Sequence, residues 1–367
     1  MKKTILINYT GRKGGGPLDA IEMTKALVSN GECVAAIISS DIENLDEWYK
    51  VPLVKLLVID TYTNKISLIK NTLFFSYKYK KRITDELKNY DIEYIYCPMI
   101  TFWTGMINSI FPKAKTVIAI HDPKPHTGAI SYVVKYYQKQ YKKANLRIVH
   151  SNIFTDYVCN QFGKAVFVPL GEHDIYKSVA DHSFVVDYPS DKINFLFFGR
   201  IEPYKGLGIL LNAYASLTEE EREKTSLTIA GTGDIDEYKD SMSEISGIQL
   251  YNRWIKDSEV NGFFIGSNIV LVCPYIDATQ SGPIIVAYGY GVPVIATRTG
   301  GLIEQVEDGV TGMLIEPNST EELMKAMRSY INNPSILERF KNGIEKRNEK
   351  YSWSESAKIL VSNMHVL

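Results

Sequence analysis

Two cations and one helix start hold most of the chemistry this sequence offers. Arg200 and Lys205 follow the apolar run 195–198, which Gly199 closes. A forked guanidinium and a point-charge ammonium at that spacing suit two neighbouring phosphates. Further on, Ser281-Gly282-Pro283 reads as the start of a helix. It offers a capping hydroxyl, a residue without a side chain, and a proline whose missing N–H costs nothing there. Such a helix start attracts an anion. Solvated loop charges are the plain alternative reading of the same cations.

A second set lies earlier in the chain. Thr10-Gly-Arg-Lys-Gly-Gly-Gly16 is a glycine loop between an apolar strand and a helix opened by Pro17. Its spacing is not the dinucleotide pattern G-x-G-x-x-G, so a flexible turn competes with a ligand-approach loop. His121-Asp122 ends another apolar run, where an imidazole could donate to a sugar hydroxyl or a phosphate. Gly231-Thr-Gly233 and Thr299-Gly-Gly-Leu-Ile-Glu304 repeat the strand-to-glycine turn.

The elements that must position these residues alternate regularly. Short runs without polar alternation at 4–9, 34–38, 56–59, 92–97, 116–120, 147–150 and 166–169 predict buried parallel strands. A second series falls at 193–198, 227–230, 248–251, 269–273 and 292–296, with helical stretches between, a long one near 66–89 among those of the first series. Open α/β sheets bind ligands at the carboxyl ends of such strands, which is where the cations and glycines fall. At 367 residues the chain predicts two domains, with a linker in the looser stretch 171–191. The expected division is 1–175 and 190–350, with a closing helix at 352–367 that packs back on the first domain.

Hydrophobic content of 45% and charged content of 23% describe a globular chain rather than a disordered or fibrous one. Residues 1–175 carry 23 Lys and Arg against 16 Asp and Glu, so the near-neutral total hides a basic first half. That half is expected to meet an anionic partner. The basic, tyrosine-rich stretches 73–82 and 132–143 have the make-up of a contact with an anionic membrane. Nothing resembles a base-reading module, so nucleic acid is not expected. Cys33, Cys97, Cys159 and Cys273 lie far apart in apolar surroundings and read as thiols of a reducing compartment. No run approaches the ~20 apolar residues of a membrane span. The expected location is the cytoplasm, at the inner face of the cell membrane.

Several motifs fall in one order: Phe-Phe-Gly-Arg200 with Lys205-Gly206, Ile229-Ala-Gly-Thr-Gly-Asp234, Gly289-Tyr-Gly-Val-Pro-Val-Ile-Ala296, and Gly300-Gly-Leu-Ile-Glu304 with Asp308-Gly-Val-Thr-Gly-Met313. Together they resemble the carboxyl-terminal domain of a retaining, nucleotide-sugar-dependent glycosyltransferase of family 4, group 1 type. The resemblance covers 193–315 and extends loosely through Gly14-Gly-Gly16, His121-Asp122 and Tyr351-Ser-Trp353. It implies the GT-B fold: two Rossmann-like α/β domains facing each other across a donor-binding cleft. It also implies these roles. Arg200 and Lys205 would grip the donor diphosphate and stabilise the departing nucleoside diphosphate, and the amides at Gly282 and Pro283 would meet its β-phosphate. Gly15 and Gly16 would approach the phosphate and sugar, and His121 would contact the sugar near its reacting face. The stretch 252–255, with Trp254, would lie along the nucleobase. Gly199, Gly231, Gly233, Gln280, Ser281 and Glu304 complete the expected donor-binding set. The nucleotide-sugar is a substrate, and no cofactor or metal is expected.

One departure stands out. The family commonly carries two glutamates eight positions apart, one near the sugar and one on the ribose hydroxyls. Here Ala278 and Val286 occupy those positions. Asp277 or Gln280 could serve the sugar, but Val286 accepts no hydrogen bond from a diol, and a buried unpaired hydroxyl costs about 1–3 kcal/mol. A donor with a deoxyribose, such as a dTDP-sugar, would remove part of that cost. The expected activity is transfer to a hydroxyl of a glycan or lipid-linked acceptor in surface polysaccharide assembly. A nucleotide-sugar epimerase of the same fold and a degenerate, non-catalytic binding protein are the competing readings.

Overall fold

The computed structural model describes residues 3–124 and 131–367. The chain divides into two compact units, one of residues 1–171 with 351–367 and one of residues 172–350.

The first unit is built on a seven-stranded sheet: β1 (Lys3–Tyr9), β2 (Val34–Ser39), β3 (Lys55–Ile59), β4 (Asp91–Cys97), β5 (Lys115–Ile120), β6 (Leu146–Val149) and β7 (Ala165–Phe167). Their order is β3-β2-β1-β4-β5-β6-β7, all parallel. Leu6 of β1 pairs with Ala35 on one side and Ile95 on the other, and all three are fully buried. Helices on both faces explain why these strands are continuously apolar. The closing helix Trp353–His365 packs on the helix Gly15–Ser29. Asn30 and Ser354 exchange hydrogen bonds of 2.9 Å, and Ser356 Oγ donates to Pro169 O at 2.7 Å.

The second unit carries β8 (Ile193–Phe198), β9 (Thr225–Gly231), β10 (Ile248–Asn252), β11 (Ile269–Cys273), β12 (Val294–Thr297) and β13 (Gly312–Ile315). The order is β10-β9-β8-β11-β12-β13, again parallel. Phe195 and Phe197 of β8 lie in the core with Leu227, Ile229 and Val270.

Both sheets reverse their winding once, between β1 and β4 and between β8 and β11. Where successive crossovers leave in opposite directions, the loops at the carboxyl ends part and form a crevice. The crevice of the second sheet lies between the loops that carry Arg200 and Lys205 and the one that ends at Ser281. Strand order therefore puts the cations and the helix start at one point.

Three expectations need correction. The stretch 171–191 is not a loose linker, because Phe184, Val186 and Tyr188 pack on the second unit. Phe184 lies 5.3 Å from the Phe263 ring, and Tyr188 Oη donates to Phe263 O at 2.9 Å. The long helix expected near 66–89 is broken into Lys65–Leu73, a π-helical turn Ser76–Lys80, and Lys81–Leu87. In the helix Ser131–Lys143, Tyr136, Tyr137 and Tyr141 turn inward onto the core of the first unit. That stretch therefore presents mainly lysines rather than an aromatic face; its helical period puts the large rings where apolar area is needed.

Candidate active site

The crevice of the second unit is shaped first by glycines. Gly199 takes φ +110° at the end of β8, and a Cβ there would stand 3.0 Å from Lys205 Nζ and 3.4 Å from Pro283 Cγ. The space left by its missing side chain therefore borders both the ammonium and the helix start. Gly206 takes φ +71°, and its missing side chain lets the backbone pass Pro274 O, which a Cβ would approach to 2.1 Å. Ile276 N donates to Tyr204 O at 2.7 Å, so the two crevice loops are pinned to each other.

Lys205 is 7% exposed, with Nζ 5.1 Å from the centre of the Tyr275 ring. Burial pushes its ammonium down to about 8, and the charge of Arg200 acts in the same direction. A cation held at this cost is poised to gain from an arriving anion. Arg200 differs: its side chain is 64% exposed and pairs with Glu202 at 3.9 Å. It can swing to a ligand without breaking a strong bond.

The helix after the crevice runs Gly282–Gly289. Gly282 is exposed and opens to empty space. Two expectations for this start are corrected. Ser281 does not cap with its hydroxyl, which instead donates to Tyr275 Oη at 3.3 Å inside the unit. Pro283 has no N–H, so the peptide donors left at the helix start are those of Gly282 and Ile284. Ala278 and Val286 are both buried, Val286 to 5% exposure, and present no polar side-chain atom at either position. Gln280 is half-buried beside them, and Asp277 is exposed.

Gly231 and Gly233 serve the backbone. Gly231 (φ +149°) lies so close to Gly199 O that a Cβ would be 1.8 Å away, and Gly233 stands likewise against Ile201 O. An isolated bridge joins Ile201 to Gly233. These glycines fix the path of the loop bearing Arg200. Trp254 follows β10 with 47% of its surface exposed, a ring available for stacking. Its neighbour Arg253 is held by Glu259 through bonds of 2.6 and 2.9 Å. Glu304 is exposed on the short helix Leu302–Gln305.

The sequence reading missed Gln305. Its buried amide accepts from Ser281 N–H at 2.7 Å and donates to Ser281 O at 3.1 Å. The available signal was an amide one turn after Leu302, on the face that the pattern assigns to the core.

Cavities also open on this unit. One of about 300 Å³ lies along the loop bearing Arg200, lined by Gly233 of the expected donor set together with Glu202, Asp234 and Glu237, carboxylates that repel phosphate. A larger one of about 520 Å³ sits at the far end of the helix Gly282–Gly289, beside Gly289, Tyr290 and Gly291.

In the first unit the loop after β1 leads into the helix Gly15–Ser29, which starts two residues before Pro17, with Gly14 as its N-cap. Gly14 takes φ +87° and its N–H meets Glu43 Oε2 at 3.2 Å. Gly15 opens to empty space, whereas Gly16 lies over the buried Tyr9 hydroxyl, which a Cβ would meet at 2.3 Å. Of the two, Gly15 is the open approach and Gly16 a packing contact. Thr10 Oγ1 lies 2.5 Å from Thr101 Oγ1, joining the loops after β1 and β4.

His121 stands at the end of β5. Its Nε2 lies 2.8 Å from Pro98 O, so that nitrogen carries the hydrogen, and its Nδ1 faces Asp19 Oδ2 at 3.6 Å. The His150 ring lies 4.8 Å away between centroids. Burial holds the His150 imidazole down at about 3, and it stays neutral while its Nδ1 donates to Val168 O.

Comparison with known proteins adds a family similarity of the second unit. Residues 179–347 match the family described as glycosyl transferases group 1. An uncharacterized glycosyltransferase of Methanocaldococcus jannaschii is 24% identical over 231 residues, covering 59% of this chain and 57% of that one. A D-inositol 3-phosphate glycosyltransferase of Arthrobacter is 24% identical over 186 residues, covering 48% of this chain and 43% of that one. The chain thus spans about half the length of the curated relatives it matches. Among solved structures, Anabaena HepE in complex with UDP-glucose is similar at a TM-score of 0.70 and 17% identity, with 100% of both chains covered. Residues 179–347 are thus similar to the glycosyl transferases group 1 family, and the chain has the GT-B fold of two Rossmann-like units.

Proposed function

We propose that this protein is a retaining glycosyltransferase of family 4 type. It moves a sugar from a nucleoside diphosphate sugar to a hydroxyl of a glycan or lipid-linked acceptor. The observation that carries the reading is that the space left by the missing side chain of Gly199 borders both Lys205 Nζ and Pro283, at the point where the six-stranded sheet reverses its winding. A buried ammonium, a mobile guanidinium and outward peptide N–H groups together suit a diphosphate leaving group, whose charge grows as the glycosidic bond breaks. Arg200 and Lys205 are assigned that charge, and no metal is needed for it. Retention then follows a front-side route, in which the leaving phosphate helps to take the acceptor proton and no protein nucleophile is required. His121 and Gly15 are assigned to the sugar, and Trp254 to the base.

The complex of Anabaena HepE with UDP-glucose supports a nucleotide-sugar as donor. Val286 favours a donor that does not need its ribose diol paired, such as a dTDP-sugar. A lipid-linked acceptor at the inner face of the membrane, in surface polysaccharide assembly, is supported by the surface of the first unit. Leu73, Phe74 and Tyr77 are exposed beside Lys78, Lys80, Lys81 and Arg82, with Ile66 and Ile69 continuing the stripe. No described helix is long and apolar enough to cross a membrane, so the contact is peripheral.

A panel of UDP-, dTDP- and GDP-sugars with and without acceptors tests the reading. The expected result is acceptor-dependent release of nucleoside diphosphate, with the α or β configuration of the donor kept in the product. Release or isomerisation of the sugar equally fast without acceptor would assign the chain to the epimerases instead.

A further inference from the structure

We propose that Gln305 is a positioning residue that aims the Gly282 N–H at the donor diphosphate; this rests on the donor reading above. The amide is 7% exposed and makes two bonds to one residue 24 positions away. Its Oε1 accepts from Ser281 N–H and its Nε2 donates to Ser281 O, so both peptide groups that flank Ser281 are held in plane.

The second bond matters for the ligand. Ser281 C=O and Gly282 N–H belong to one planar, trans peptide, in which the two groups point in opposite directions. Holding the carbonyl against an interior amide therefore turns the N–H away from the interior, on the side where Gly282 is exposed and opens to empty space. Donation from Nε2 into that carbonyl also polarises the same peptide and strengthens its N–H as a donor. The Ser281 N–H, consumed by Oε1, is unavailable to a phosphate, and the Ser281 hydroxyl points to Tyr275. Ser281 is thus a strut, and the ligand contact passes to Gly282.

An amide is required because one group must accept and the other donate. A leucine removes both bonds. A carboxylate keeps the first and loses the second, and regains the second only when protonated, which burial favours at higher pH than usual.

Calorimetry on the whole chain tests this with UDP, dTDP and GDP, each beside its phosphate-free nucleoside. In Gln305→Leu, affinity for the best-bound diphosphate should fall about tenfold, the scale of one neutral hydrogen bond, while nucleoside affinity stays within twofold. In Gln305→Glu, diphosphate affinity should approach that of the wild type at pH 5.5 and fall about tenfold at pH 7.5, with the wild type flat over that range. Thermal melts and circular dichroism establish that each variant is folded, and the pH arm stands even where the leucine variant is not. Equal losses for nucleoside and diphosphate, or a pH-flat Gln305→Glu, would assign Gln305 a purely structural role and overturn the proposal. A wild type that binds none of the three diphosphates would overturn the donor reading, and this inference with it.

Discussion

The Lys205 ammonium lies 5.1 Å from the centre of the Tyr275 ring and is almost wholly withdrawn from water. The ring face attracts the cation, but it replaces little of the lost hydration, so the ammonium titrates at about 8. In the protein without ligand Lys205 is charged below that pH and neutral above it. A diphosphate needs the charged form, and once bound it holds the proton in place. kcat/KM for the donor is therefore expected to fall above pH 8 by about tenfold per pH unit, while kcat at saturating donor stays nearly level. A kcat/KM profile that is flat to pH 9.5 would remove Lys205 from the clamp.

The same titration predicts a stability effect. Because the folded value lies below the unfolded one, the unfolded chain binds more protons between about pH 8 and 10.5. The cost of burying the charge is thus fully present below pH 8 and fades as pH rises through that window. Lys205→Met should stabilise the unliganded protein at pH 7, by up to roughly 3 kcal/mol, and much less at pH 10.5. It should also lower transfer at least about 100-fold, as should Arg200→Ala, which leaves stability unchanged because the side chain is mostly exposed. Denaturant unfolding at the two pH values, with initial rates, checks all three.

Glycines that shape the loops and glycines that face the ligand should separate in one experiment. Gly231→Ala drives a methyl into Gly199 O at a left-handed backbone position, and is expected to cost roughly 2–4 kcal/mol. Gly15→Ala meets nothing within 4 Å and sits in a helix, so stability should hold or rise by about 0.5–1 kcal/mol. Transfer should nevertheless fall in Gly15→Ala, with KM for the donor raised. Unchanged kinetics in that variant would leave Gly15 without a role at the sugar.

The exposed stripe of the first unit gives a prediction independent of the clamp. Flotation with vesicles of phosphatidylcholine and phosphatidylglycerol should capture the wild type and lose it when the anionic lipid is omitted. Leu73→Ser with Phe74→Ser and Tyr77→Ser should abolish flotation at little cost in stability, since all three side chains already face solvent. Undiminished flotation of that variant would place the contact elsewhere. Neutralising Lys142 and Lys143, on the helix whose Tyr136, Tyr137 and Tyr141 turn inward, should matter less.

Much of this molecule was legible in local pattern. Continuous apolar runs identified every described strand but the short β13, because a strand buried on both faces has no polar alternation. The cations after β8 and the glycines after β1 and β9 were legible because open α/β folds place ligand loops at strand ends. What local pattern cannot carry is the partner of a side chain. Gly15 and Gly16 look alike in sequence, yet only Gly16 lies over the Tyr9 hydroxyl. Ser281 has the composition of a cap, yet Tyr275 and Gln305 claim its polar groups. The stretch 171–191 reads as a linker by its turn residues, yet Phe184 and Tyr188 bind it to Phe263. The sequence by itself determined most of the elements, because period acts within a few residues. Only the tertiary structure decided which loops share a crevice and which peptide N–H faces outward, because strand order and the contact of Gln305 with Ser281 join residues far apart in the chain.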